Sequence, residues 1–356
     1  MKVAVLSYPM LFQSTGGLTM KLGRTVDALR ARGIEAELID TVRQKLRDFD
    51  LVHVFAPYNG NHRIVEQAKG DNLPVVMSTI LNPPFTRMDG LKARLLSRVV
   101  SRLTGWTVST SYEQMRQAVD MADHLITLGS IERTILTDAF LVAPSKVTIV
   151  PNGIGHEFFS ADPAEFLSQH PGIRRPFVLH TGIVGDVKNQ LGLVKALAQD
   201  DIDIVLIGYT GQANRDYLAQ CLEAGRGKVH YLGEMKHGAG IASAYAASAL
   251  VAVPSRHEGM PNVILEGLAA DRPVVLTNNH TMDMTLPRDV AREVAADDHA
   301  GIRNAVMELV RQPPAPGKAR SVVAHMSWAA VAEQLETIYR AALAAAPRNG
   351  SKVARP

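Results

Sequence analysis

Along the first part of the chain, short apolar runs alternate with longer stretches in which apolar residues return every three or four positions. The runs "VAVLS" (3–7), "EAELI" (35–39), "LVHVF" (51–55), "PVVMSTI" (74–80), "HLITL" (124–128) and "VTIV" (147–150) are strand-length and predict a parallel sheet. After the first, Leu18, Leu22, Val26 and Leu29 mark one face of a helix that opens at "STGG" and stops at Gly33. The series then restarts with "FVLHTG" (177–182), "DIVLIG" (203–208), "VHYLG" (229–233), "ALVAVP" (249–254) and "PVVLT" (273–277). This alternation predicts an α/β protein of two doubly wound, Rossmann-like domains facing each other across a cleft, over residues 1–160 and 161–326. The Pro- and Gly-rich stretch 151–176 reads as the linker between them. An amphipathic helix over 327–346 is expected to cross back onto the first domain, and 347–356 reads as a disordered tail. In sheets of this kind ligands sit at the carboxyl ends of the strands, near the point where strand order reverses.

One such strand end carries two carboxylates. In "HEGMPNVILEGL" (257–268), Glu258 precedes a Gly-Met-Pro-Asn turn, and Glu266 falls about one turn into a helix that starts at Pro261 or Asn262. At 1.5 Å per residue they stand about 10 Å apart, too far for a retaining glycosidase pair. They would suit a long polyhydroxy ligand held at both ends, with an anion between them at the start of the helix. The competing reading makes both of them solvated helix-face charges.

Composition narrows the classes. A length of 356 residues, 46% of them apolar, fits two ordinary domains. A net charge of +3 implies no whole-protein attraction to nucleic acid, and the lone Cys221 suits a reducing cytoplasm. "MKVAVLSYPM" is a first strand and not a signal peptide, and no stretch is long and apolar enough for a membrane span. The twelve histidines are scattered, and no cluster has metal-ligand spacing. A dehydrogenase is disfavoured because "STGG" lacks the full Gly-x-Gly-x-x-Gly turn. A periplasmic binding protein would need a leader.

"PSRHEGMPNVILEGLAADRPVV" resembles the signature of the group 1 (family 4) retaining glycosyltransferases of the GT-B fold. "STGGLTMKLGRTVDALRARG", "SKVTIVPNGIGHEFF", "TGIVGDVKNQLGLVKAL" and "ALVAVPS" match further family segments in the right order. The resemblance implies sugar transfer from a nucleotide-sugar donor, UDP-sugar favoured, to a saccharide, lipid-linked or small-molecule acceptor. It implies no metal and no cofactor beyond the donor. Glu258 would contact the sugar hydroxyls and Glu266 the ribose diol, while Gly259, Met260, Pro261, Asn262 and Val263 would line the sugar and diphosphate. Lys188, with Asn189 beside it and Gly182 at the start of its loop, would serve the diphosphate. Gly16 and Gly17 would admit the donor closely, the base would lie near Gly233 to Met235, and Gly208 of "GYTG" would approach the nucleotide. His53, Tyr58 and Asn82 are candidates for the acceptor side.

Four positions depart from the family pattern. Ile183 stands where an arginine is usual, so Arg256 or Arg24 would have to supply a second diphosphate cation. Leu81 and Asn82 replace a common histidine, Asp271 replaces a glycine, and "TNNHTMDM" (277–284) replaces a Gly-rich turn. A catalytically impaired homologue acting as a partner protein, or a sugar-nucleotide epimerase, is therefore the alternative. Finally, the segment through 87–106 carries Arg87, Lys92, Arg94, Arg98 and Arg102 against Asp89, beside the stripe Leu91, Leu95, Val99 and Leu103. This is either a helix lying on an anionic membrane or a core-facing helix with a solvated basic face. Nucleic acid is disfavoured because no aromatic residues interleave the basic ones.

Overall fold

The computed structural model describes residues 1–13, 16–81, 85–103 and 109–346. The chain divides into two compact units, Met1–Gly153 with the segment from Trp328 onward, and Ile154–Ser327.

In the first unit the strands are β1 (Lys2–Leu6), β2 (Glu35–Leu38), β3 (Leu51–Phe55), β4 (Val75–Ser78), β5 (His124–Thr127) and β6 (Val147–Ile149). They form a six-stranded sheet in the order β2-β1-β3-β4-β5-β6. Every pairing is parallel, as in Val3 beside Leu51 and Val52 beside Val75. Side chains alternate between the sheet's faces, so β1 feeds two cores. Val3 and Val5 pack with α1 (Gly17–Ala31) through Leu22, Val26 and Leu29, and with the C-terminal helix (Trp328–Ala345) through Val331, Leu335 and Tyr339. Ala4 and Leu6 share the opposite core with Val65 of α2 (Asn61–Gly70). α4 (Ser111–Met121) adds Met115 and Val119 to that core, and α5 (Ser130–Asp138) adds Leu136. Between α2 and α4 in the chain lies α3 (Arg87–Leu103).

The second unit repeats the design with β7 (Phe177–Thr181), β8 (Asp203–Ile207), β9 (Val229–Tyr231), β10 (Leu250–Val253), β11 (Val274–Thr277) and β12 (Ala291–Val294). Their order is β12-β11-β10-β7-β8-β9, again wholly parallel. Strand β12 is absent from the sequence reading. Its "AREV" buries only Ala291 and Val294, as an edge strand does, and so lacks an apolar run.

Residues 151–176 are not a simple linker. They form the short helices His156–Phe159 and Ala164–Gln169, whose Phe158 and Phe166 are fully buried in the second unit's core. Burying each phenylalanine stabilises the unit by about 1.5–3 kcal/mol, which is why the unit boundary falls at Ile154 and not after residue 160. The predicted tail at 347–356 lies outside the described residues.

Candidate active site

In the second sheet strand order reverses between β7 and β10, and the loops leaving those two strands carry most of the predicted donor-binding residues. The β7 loop begins at Gly182, whose φ of +147° only glycine adopts readily. Beside it, Gly208 after β8 has φ +155°, and a Cβ there would overlap the carbonyl oxygen of Gly182. Close approach of two backbones therefore accounts for this glycine pair. A short turn over Asp186–Lys188 then leads to Asn189, which is left-handed at φ +56°.

Asn189 is structural. Its buried amide donates to the carbonyls of Pro254 (2.9 Å) and Ala296 (2.7 Å), tying the β7 loop to the β10 loop, so this predicted donor contact has no side-chain donor to spare. The tie also sets Lys188 beside Glu258. Lys188 Nζ donates to Glu258 Oε1 at 2.6 Å, and Ser255 Oγ donates to the same oxygen at 2.6 Å. Both bonds fall on one oxygen and leave Oε2 to other partners. The Glu258 backbone is fixed by the segment 277–284: its N–H donates to Asn279 O, and Thr281 N–H donates back to Glu258 O. The unusual "TNNHTMDM" thus works as a backbone clamp.

Behind the pair lies His180 on β7, fully buried, with Nδ1 donating to Ala252 O at 2.7 Å. Burial lowers its pKa to about 4, so the ring is neutral, and its buried Nε2 has no partner among the described residues.

The helix Asn262–Ala269 begins directly after Pro261, at one of the two predicted starts. It is held against the sheet at Gly267, where a Cβ would press on Val251 and Val274. Glu266, 7% exposed, is no solvated helix-face charge. Its Oε1 accepts from His237 Nε2 (2.8 Å) and its Oε2 from the Tyr245 hydroxyl (2.9 Å), which in turn accepts from Thr181 Oγ1 (2.6 Å). Burial raises the Tyr245 pKa, keeping the hydroxyl protonated as a donor. Each carboxylate oxygen retains a second lone pair for a ligand hydroxyl. Around this helix Met235, Met260 and Val263 are half-buried against the unit's core, and Gly259 and Asn262 are half-exposed. At the far end Asp271 is left-handed at φ +60°, the conformation the family's glycine would take, and its carboxylate accepts from Gly317 N–H at 2.6 Å.

Of the two cations suggested for the diphosphate, Arg24 and Arg256, the second is otherwise engaged. Arg256 pairs with Asp186 (2.9 Å) and Asp297 (2.7 Å), bonds that raise its pKa further, while Ile183 stands 47% exposed.

In the first unit, His53 is no acceptor-binding residue. It is fully buried, with Nδ1 bonded to the Tyr339 hydroxyl (2.6 Å) and Nε2 to Ser78 Oγ (2.9 Å), and burial lowers its pKa to about 3. Tyr58 is half-buried, its ring 6.1 Å from that of Tyr8 and its pKa raised to about 12 by burial. Gly16 caps α1 and Gly17 begins it, and a Cβ on either would meet open space, so nothing among the described residues demands glycine there. Asn82 lies outside the described residues.

Sequence reasoning missed Ser255, His237, Tyr245 and Thr181. Ser255 alone had a signal, three residues before Glu258.

Residues 175–312, from just before β7 to beyond β12, match the family model described as glycosyl transferases group 1. This region is a group 1 glycosyltransferase domain. The chain is 26% identical over 257 residues to a D-inositol 3-phosphate glycosyltransferase of Kineococcus radiotolerans, covering 64% of this chain and 59% of that protein. It is 24% identical over 177 residues to the O-antigen chain mannosyltransferase B of Escherichia coli, covering 47% and 46%. The chain thus spans only about half the length of the curated relatives it matches. Anabaena HepE in complex with UDP superposes with a TM-score of 0.71 at 16% identity, covering 96% of this chain and 100% of that one. A sucrose-phosphate synthase of Thermosynechococcus elongatus gives 0.73 at 17%, covering 97% and 100%. The fold around the group 1 domain is GT-B.

Proposed function

We propose that the protein transfers a hexose-type sugar, with retention and without a metal, from a nucleotide-sugar donor to a saccharide, lipid-linked or small-molecule acceptor. The observation that carries this reading is the Lys188–Glu258 pair at the switch point of the group 1 domain. An ammonium and a carboxylate held together in the free protein are what a diphosphate-linked sugar needs held apart. The diphosphate takes over Lys188, and Glu258, still anchored by Ser255 and its backbone clamp, turns to the sugar hydroxyls. Glu266 receives the ribose diol on the lone pairs that His237 and Tyr245 leave. The acceptor hydroxyl oxygen bonds to the anomeric carbon as the bond from that carbon to the phosphate oxygen breaks. The acceptor's proton passes to the departing phosphate on the same face, and Lys188 offsets the charge that develops there. A UDP-sugar is favoured because HepE has been solved with UDP and with UDP-glucose.

Thermal-shift titration with UDP, GDP, ADP and their sugar conjugates tests this. A ligand at a hundred times its Kd adds about 2.7 kcal/mol of stability. We expect UDP to shift the wild type, Glu266→Ala to lose that shift, and Glu258→Ala to keep it while losing sugar transfer. Equal UDP affinity in wild type and Glu266→Ala would overturn the ribose assignment. One observation favours the alternative of a catalytically impaired homologue: Ile183 offers no charge, and Arg256 is bound to Asp186 and Asp297. No shift with any nucleotide would establish that reading instead.

A further inference from the structure

The two readings of the basic helix make opposite statements about which side is buried, and the structure separates them. Met88, Leu91, Leu95, Val99 and Leu103 follow one another at three- and four-residue steps along α3, and with Leu96 they are 45–82% exposed. The helix packs through its small side. Gly90 abuts the Ala139 backbone so closely that a Cβ would clash, and buried Ser97 bonds to Thr110 at 2.6 Å. The large apolar residues therefore face outward, where burial in a core would have turned them inward.

We propose that this face of α3 docks on the surface of an anionic lipid bilayer. Charge selects that occupant. Arg98 lies at one edge of the apolar stripe, and Lys92 and Arg102 stand among its residues; all three are exposed. The helix has five basic residues and one acidic, and the carboxylate of that one, Asp89, accepts from the N–H and the hydroxyl of Thr86 at the helix start. Exposed leucines interspersed with long cationic side chains, which can reach past them to the headgroups, match the acyl boundary and the phosphate plane of a bilayer. Arg94 is not part of this set, because it donates to Ala139 O at 2.6 Å and to the Tyr112 hydroxyl at 3.2 Å. It fixes the helix to the unit, and the neighbouring arginines are left for lipid. No helix among the described residues is long and apolar enough to cross a membrane, so the contact is peripheral.

The test needs no nucleotide and is independent of the glycosyl-transfer reading. The full chain is sedimented with vesicles of phosphatidylcholine alone, and of phosphatidylcholine mixed with phosphatidylglycerol, at low and high salt. We expect binding only to the mixed vesicles, weakened by salt. Arg98→Gln with Arg102→Gln lowers the partition coefficient by about tenfold or more, since each cation contributes about fivefold near an anionic surface. Leu95→Glu with Val99→Glu abolishes binding. Circular dichroism and the unfolding midpoint check that these exposed changes leave the fold intact. Arg94→Gln should instead lower the midpoint. Absence of wild-type binding, or equal sedimentation of both double variants and the wild type, would overturn the proposal. So would self-association without lipid that Leu95→Glu with Val99→Glu removes, because the face would then belong to a second copy.

Discussion

Both units place a buried glutamate at the carboxyl end of a parallel sheet, and the two sets of partners differ in kind. In the first unit Glu132, on α5, accepts from the N–H groups of Leu81 and Leu128 at 2.7 Å each and from the Thr79 hydroxyl at 2.6 Å. Two of those donors are backbone, fixed by the chain ends of β4 and β5. In the second unit Glu258 and Glu266 accept through their side chains from the side chains of Lys188, Ser255, His237 and Tyr245. A carboxylate held by backbone amides is a brace, because those donors cannot leave without unfolding the loops. One held by side chains can exchange a partner for a ligand hydroxyl at the cost of a rotamer change. Burial alone does not separate the roles, since all three glutamates are 7% exposed.

The largest test of that contrast is Glu132→Ala. It strands the part-buried N–H groups of Leu81 and Leu128, each costing about 1–3 kcal/mol, while the Thr79 hydroxyl keeps the Ile126 carbonyl, so the first unit should lose about 2–6 kcal/mol in urea unfolding. UDP affinity in the folded protein should stay unchanged. A loss below about 1 kcal/mol would remove the brace from the comparison.

The brace was not readable in the chain. Glu132 two residues after Ser130 looks like any acidic residue in a helix's first turn, and two of its three partners, Thr79 and Leu81, come from around fifty residues away. The strands were readable because burial on both faces writes itself as local apolar runs, and β12 escaped because an edge strand needs none. Glu258 and Glu266 stood out through a short-range turn and helix start. Lys188 was assigned only through the family resemblance, and its pairing with Glu258, seventy residues on, is a product of topology. The same holds for His237 and Tyr245, which belong to elements whose approach to Glu266 depends on strand order. For α3 the pattern correctly gave an amphipathic helix but could not say which face was covered.

The second comparison is pH. His53 in β3 and His180 in β7 are both buried and neutral, with pKa values lowered to about 3 and about 4. Below the unfolded-state value near 6.5 the unfolded chain takes up a proton that the folded one refuses. Stability is therefore full above that value and is lost as pH falls toward the folded pKa. Each histidine should remove about 2 kcal/mol between pH 7 and pH 5. His53→Gln, which keeps a polar group for Tyr339 and Ser78, should flatten the first unit's share and leave the second's. An unchanged pH slope in that variant would mean His53 is protonated in the folded state.

The smallest effect probes whether the partners of Glu266 are exchangeable. Tyr245→Phe deletes one hydroxyl that donates to Glu266 Oε2 and accepts from Thr181, while the ring keeps its edge-on contact with Phe158, 5.3 Å between centroids. The net cost of such a bond is about 1 kcal/mol, so the unfolding midpoint should move only slightly. If Glu266 receives the ribose, loss of the donor that orients it should weaken UDP binding by a few-fold, while adding His237→Ala, which removes the other donor, should weaken it further. Calorimetric titration of the single and double variants decides the matter. Unchanged affinity in both, with stability lowered, would make the Glu266 cluster a brace like that of Glu132. Weakened affinity with stability nearly intact would show that a side-chain-held carboxylate is kept in shape by partners the ligand joins.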